Sequence, residues 1–378
     1  MRVLLAAALG VALAGCADMS APVADAPFDA PDAPELPATP LSYVITGVPS
    51  ALLNDPVVRL IDPPDNPITN AGATLGRVLF YDRRLSRDGT VSCASCHHQS
   101  ASFTDTARVS RGVGGALGER NSMSIVNIAW VPTLQPAGQP RFLWDTRATS
   151  LEHQVLMAIE NPHEMAMAPD SLAARLSAVA WYPALFEQAF GSRAITTDRI
   201  AKAIVQFERS MVSTRSRHDS AQAVSFTTLT PLETEGRRLF NDGSRLNCAS
   251  CHAGPQFQNS VPVNIGLDAT TTDRGVGAVT GLPQDDGRFR VPKLRNIAVT
   301  GPYMHDGRFA TLEQVLQFYS QRIQPHPNLA AQLRAPGGLP RRPNYTPEEI
   351  AALIAYLRTL TDHAFLTDER FSDPFRRR

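Results

Sequence analysis

Two stretches of the chain carry reactive side chains at a spacing with a mechanical meaning: Cys93-Ala94-Ser95-Cys96-His97 and Cys248-Ala249-Ser250-Cys251-His252. Two thiols separated by two residues can add to the two vinyl groups of one haem, and the histidine that follows swings under the iron as its proximal ligand. The repeated pattern predicts two covalently bound haem c groups, attached through Cys93, Cys96, Cys248 and Cys251, with His97 and His252 as iron ligands. The competing arrangement is one zinc or iron–sulfur site built from all four thiols, or from one thiol pair and two histidines. It leaves a histidine at the same offset in both copies as coincidence.

The fifth and last cysteine, Cys16, closes the stretch Leu13-Ala14-Gly15-Cys16 after a basic start and an apolar run from Val3 to Ala14. That run is too short to span a bilayer, which needs about 20 residues. It reads as an export signal whose end resembles a bacterial lipobox, with Cys16 lipidated; an ordinary cleaved signal with an incidental cysteine is the alternative. Residues 17–41, rich in Pro, Ala and Asp, have little to bury and read as a solvated, polyproline-like tether. The expected location is therefore the periplasm. The protein would be held to a membrane by a lipid anchor only, and to the outer membrane rather than the inner, since Ala17 and not Asp follows the cysteine.

The elements that must position the haem motifs are legible as a repeat. Gly76-Arg77-Val78-Leu79-Phe80 precedes the first motif and Gly236-Arg237-Arg238-Leu239-Phe240 the second, each at the end of an expected helix. Each half closes on an amphipathic helix. Ile200, Ala203, Ile204, Phe207 and Met211 recur at helical spacing in the first, and Ile350, Leu353, Ile354, Leu357 and Leu360 in the second. The second opens with a capping box, Thr346-Pro347-Glu348-Glu349, with proline at its first position. The fold class predicted is mainly α, two cytochrome c-like haem domains in tandem related by duplication: 1–16 signal, 17–41 tether, 42–225 N-terminal haem domain and 226–378 C-terminal haem domain. The length of 378 residues agrees with two such domains. Composition excludes other classes. With 43% apolar and 19% charged residues the chain is neither disordered nor polytopic, and 36 basic against 36 acidic residues give no field for a nucleic acid.

Which haem reacts depends on the sixth coordination position, because a saturated haem shuttles electrons whereas an open one activates a small oxidant. After His98 no histidine occurs before Arg141, and the single methionine in that interval is Met123, so the first haem is expected to be open, with Met123 as the rival ligand. Further on stand Trp144, Gln154 and Glu164, each ten residues after the last. This series resembles the bacterial di-haem cytochrome c peroxidases and the related MauG proteins. The resemblance runs from about Leu75 to about Leu360 and includes Arg120-Asn121, Phe207-Glu208-Arg209-Ser210 and Val291-Pro292-Lys293-Leu294-Arg295-Asn296.

The resemblance implies catalytic roles. Glu164 would take and return the proton in peroxide cleavage, Gln154 would orient peroxide or water, and Trp144 would lie between the haems as an electron bridge. Without it, Glu164 reads as a helix N-terminal charge and Trp144 as core. His153 and His163 read as surface or structural residues, and His305 as fixing its loop. Where the common peroxidases carry methionine as distal ligand of the second haem, this chain has Tyr319, as MauG does; Met304 is the rival ligand. A phenolate there would let the second haem hold an oxidising equivalent as Fe(IV). The resemblance also implies a calcium ion on Asn121, Thr300 and Pro302.

The expected function is a di-haem peroxidase reducing hydrogen peroxide with electrons from a small cytochrome c or cupredoxin. One alternative is an enzyme like MauG or MbnH that oxidises Trp or Tyr residues of a protein substrate. The other is a non-enzymatic di-haem electron carrier.

Overall fold

The computed structural model describes residues 33–53, 58–132 and 141–375. Cys16, the signal segment and most of the expected tether lie outside the described residues. Each half is organised by one crossed helix pair. In the first, helix α1 (Asn70–Tyr81) starts where the Thr69 hydroxyl accepts from the Gly72 amide, and it packs against α5 (Thr197–Ser210), capped by Thr196. Between them lie α2 (Leu151–Glu160), α3 (Pro169–Ser177) and α4 (Tyr182–Phe190). In the second half α6 (Pro231–Phe240) starts with a Thr230/Glu233 capping box, α7 (Leu312–Gln317) with Thr311/Gln314, and α8 (Pro347–Arg358) with the expected Thr346/Glu349 box. Strand content is slight. Among the described residues a single antiparallel pair occurs, β1 (Val58–Leu60) on β2 (Trp130–Pro132), with Leu60 opposite Trp130.

The duplication is visible at the crossing points. A Cβ on Gly76 would stand 2.0 Å from the Ala203 carbonyl oxygen and 2.8 Å from Phe207 Cβ; one on Gly236 would stand 1.9 Å from the Ala352 oxygen and 2.8 Å from Tyr356 Cβ. Both helix pairs therefore touch backbone to backbone at a glycine, with an aromatic side chain alongside, and any larger residue would prise them apart. The apolar stripes of α5 and α8 are the buried seams: Ile200, Ala203, Ile204 and Phe207 in one, Leu353 and Leu357 in the other. Fully burying each Leu, Ile or Phe contributes about 1.5–3 kcal/mol, and this, more than helix propensity, holds the short helices.

Two features depart from the expected segmentation. The end of the chain crosses back: Phe365, Phe371 and Phe375 belong to the first hydrophobic core, and the Tyr43 and Tyr81 hydroxyls donate to the carbonyls of Arg370 and Phe371 at 2.9 and 2.6 Å. A division at 225/226 separates the two helix pairs but not this tail. The last part of the expected tether is also docked, since Leu36 and Leu41 rest on the first core and the Glu35 amide donates to the Pro374 carbonyl. Pro/Ala/Asp composition made residues 33–41 look solvated; two leucines suffice to seat them.

Candidate functional site

Each C-x-x-C-H segment forms a short turn at the wall of its own cavity. The first cavity, about 640 Å³, is walled by Cys96 and His97 together with Met123, Trp144, Gln154 and Glu164. The second, about 200 Å³ and strongly apolar, is walled by Cys248, Cys251 and His252 with Trp144, Met304 and Tyr319. Cys96 and the second thiol pair thus face different spaces, and Cys93 packs on the first core while Cys248 packs on the second, which is incompatible with one four-thiol metal site. Burial also pushes the thiols up, Cys96 to about 11 and Cys248 to about 12.

Both histidines are oriented by a backbone carbonyl. His97 Nδ1 lies 2.7 Å from the Phe103 oxygen and His252 Nδ1 3.0 Å from the Phe257 oxygen. A carbonyl only accepts, so Nδ1 carries the hydrogen and Nε2 keeps a lone pair. Burial lowers both imidazoles from their ordinary value, which keeps them neutral. A neutral histidine with its far nitrogen fixed by a hydrogen bond fits an iron ligand, so both cavities fit a haem. Phe103 and Phe257 hold these carbonyls in place at φ of +54° and +52°, a left-handed conformation that costs a non-glycine residue on the order of 1–3 kcal/mol. The sequence reading missed this pair; its signal is a phenylalanine six residues after His97 and five after His252.

Gln154 and Glu164 reach the first cavity from different elements. Ser150 caps α2 by accepting from the His153 amide, and Gln154 projects from its first turn, its Oε1 buried without a partner. Gln154 as a residue borders the first cavity. Glu164 lies in the turn after α2, five residues before α3, so it is not a helix N-terminal charge. Its backbone is clamped: the Glu164 carbonyl accepts from Val113 N at 2.8 Å, and a Cβ on Gly112 would fall 2.4 Å from that oxygen. Its Oε1 accepts from Asn161 Nδ2 at 2.7 Å, leaving Oε2 for chemistry. Burial raises the Glu164 carboxyl above its ordinary value, opposed by the Asn161 hydrogen bond and the charges of Arg147 and His163. His153 and His163 are exposed.

Trp144 walls both cavities. Its indole Nε1 donates to the Asn121 carbonyl at 2.8 Å, and its ring meets His305 edge-on at 6.5 Å. His305 in turn stacks on Phe289 at 3.8 Å, which fixes its loop. Met304, at φ +76°, also borders both cavities. Tyr319 lies beyond the end of α7. The helix ends at Gln317 and the chain widens into a single π turn over Phe318–Arg322, a local underwinding common at functional positions. Burial, and then the neighbouring Cys251 and Cys248, push its phenol up.

Asn121, Thr300 and Pro302 wall the first cavity. Asn121 Nδ2 donates to the carbonyls of Ala107 and Arg108 at 3.3 and 3.2 Å, so its Oδ1 is the atom left to coordinate. No group of three His, Cys, Asp or Glu side chains among the described residues could hold a metal ion, so a cation here would depend on neutral oxygens, a donor type that suits calcium.

Residues 70–224 match the di-haem cytochrome c peroxidase family and residues 233–361 the cytochrome c family. The methylamine utilization protein MauG of Methylophilus methylotrophus is 34% identical over 263 residues, covering 69% of this chain and 76% of that protein. The cytochrome c551 peroxidase of Nitrosomonas europaea is 34% identical over 293 residues, covering 76% and 79%. Among solved structures, a MauG-like protein associated with microbial copper homeostasis superposes with a TM-score of 0.74 at 33% identity, covering 83% of this chain and 96% of that one.

Proposed function

The chain belongs to the di-haem cytochrome c peroxidase and MauG family, and is thus an oxidoreductase of that kind, and on this premise we propose that it reduces hydrogen peroxide in the first cavity with electrons that arrive through the second. The observation that carries this reading is that Glu164 and Gln154 border the same cavity as His97, with Trp144 bordering both cavities. Haem c, when bound, supplies the redox chemistry. His97 and His252 hold the iron through Nε2, and the four thiols hold the macrocycles. Gln154 orients peroxide by hydrogen bonding through its side-chain amide. Glu164 Oε2 accepts the proton of one peroxide oxygen and returns it to the other as it leaves as water. Trp144, pinned through Nε1, bridges the two centres. The electron donor is a small cytochrome c or cupredoxin.

Tyr319 favours a second reading, in which the electrons come from Trp or Tyr side chains of a partner protein, as the MauG likeness suggests. Asn121, Thr300 and Pro302 hold a calcium ion that ties the cavity wall together. Chelation should then change the visible spectrum, with recovery on adding calcium and not magnesium; an unchanged spectrum refutes the site. Cys16 anchors the chain by lipid at the periplasmic face of the outer membrane, so a C16S chain should move from the membrane to the soluble fraction. That soluble form allows the deciding measurement. One equivalent of peroxide should alter the ferric spectrum, and reduced cytochrome c should then turn over rapidly. Slow turnover with rapid oxidation of a partner's aromatic residues selects the second reading, and a spectrum that ignores peroxide sinks both in favour of an electron carrier.

A further inference from the structure

Most arginines held away from solvent among the described residues face an acid, as Arg84 does Asp82 and Arg209 does Asp62, while Arg77 donates to the Ser372 carbonyl and hydroxyl. Arg120 bridges Asp145 and Asp273 at 2.6 and 2.7 Å, and Arg295 takes Asp219 at 2.8 Å. Arg290 and Lys293 break the pattern. Both are half-buried at cavity walls, and among the described residues neither forms an ion pair with a carboxylate. The Arg290 guanidinium lies over the Phe142 ring at 5.8 Å, and Lys293 Nζ donates to one backbone carbonyl, that of Val126. Burial lowers Arg290 to about 10, and it drives Lys293 well below its ordinary value with Arg290's own charge adding to the effect. Each keeps some accessible surface, and each lines a cavity: Arg290 borders both, Lys293 only the first.

Two neighbouring, half-buried cations without an anion are unfavourable, and a protein retains such a pair where a ligand brings the missing negative charge. Carboxylate is what a haem brings, on the edge away from its vinyl groups. We propose that Arg290 and Lys293 form a half-buried cationic bracket for haem propionates at the wall between the two cavities, Arg290 serving both haems and Lys293 the first alone. This rests on the di-haem reading above. The backbone supports the bracket, since the Arg290 amide donates to the Trp144 carbonyl at 2.8 Å, which ties the shared cation to the residue that borders both centres. By offsetting propionate charge, the bracket favours the reduced state of the iron it serves.

The test uses the purified holoprotein and reads the midpoint potentials of the two haems, resolved by their separate optical and EPR signals. Lys293→Gln should lower the first haem's midpoint by at least about tenfold in its reduction equilibrium, about 59 mV for one electron, and move the second far less. Lys293→Arg should restore it. Arg290→Gln should lower both. Covalent haem content by mass checks the di-haem premise independently: fewer than two haems in the unaltered chain refutes that premise, whatever the potentials do. With two haems bound, an unchanged first midpoint in Lys293→Gln overturns the bracket. So does a loss that Lys293→Arg does not recover, or an Arg290→Gln effect confined to one haem. Should Lys293→Gln load poorly, Lys293→Met is read in the same way.

Discussion

Replacing Glu164 with Gln slows the reaction of the ferric protein with peroxide by roughly 10²–10⁴, the range expected when a positioned acid–base group is lost. The substitution preserves size and leaves the Asn161 contact replaceable, so both haem spectra should stay as they were while the stopped-flow rate falls. The pH dependence sharpens the assignment. Accepting a proton requires the carboxylate, and burial raises the Glu164 carboxyl above its ordinary value. The rate of the unaltered protein therefore drops as pH falls through that raised value, and the Glu164→Gln rate shows no such limb. The Asn161 hydrogen bond acts in the opposite direction by favouring the charged form. Removing it in Asn161→Ala should move the acid limb to higher pH without abolishing the reaction. An unchanged rate in Glu164→Gln, or an acid limb that persists there, removes Glu164 from the proton-transfer role.

What the sequence discloses about this site is what local chemistry can encode. The thiol–thiol–histidine spacing is covalent chemistry within five residues, and the helix pairs announce themselves through 3.6-residue periodicity, so both were legible. Gln154 and Glu164 were legible by resemblance alone. Ten residues is no helical repeat, and the structure shows why: α2 ends at Glu160 and the chain turns before presenting Glu164. The Phe103 and Phe257 carbonyls were invisible because a backbone oxygen has no residue type, and only a positive φ distinguishes its carrier. Arg290 and Lys293 read as ordinary basic residues, since only their lack of a carboxylate partner among the described residues at a cavity wall makes them unusual. That the tail from Phe365 to Phe375 packs on the first core was not legible for a related reason: aromatic residues announce burial but not against what.

Replacing Tyr319 with Met should change the second haem more than any other single substitution. Axial ligands set haem potentials over a span of about 0.8 V, and methionine lies at its high end whereas an anionic phenolate oxygen lies low. A rise of the second midpoint on the order of 0.2 V is expected, a quarter of that span, with a new low-spin spectrum. The π turn over Phe318–Arg322 makes this a test of position as well as of chemistry. A residue in the widened turn is aimed differently from one in a regular helix, and it is the widened turn that presents Tyr319 to the wall shared with His252. Methionine is long and flexible enough to reach the same iron from that backbone. Tyr319→Phe separates ligation from packing, since it keeps the ring and removes only the oxygen. A ligand tyrosine then leaves the second haem five-coordinate and high-spin, whereas a packing tyrosine leaves the spectrum alone. Met304 borders the same cavity, and Met304→Leu should leave the second haem unaffected. If Met304→Leu alters that spectrum and Tyr319→Phe does not, the ligand is the methionine, and the capacity of the second centre to store an oxidising equivalent is lost with the assignment.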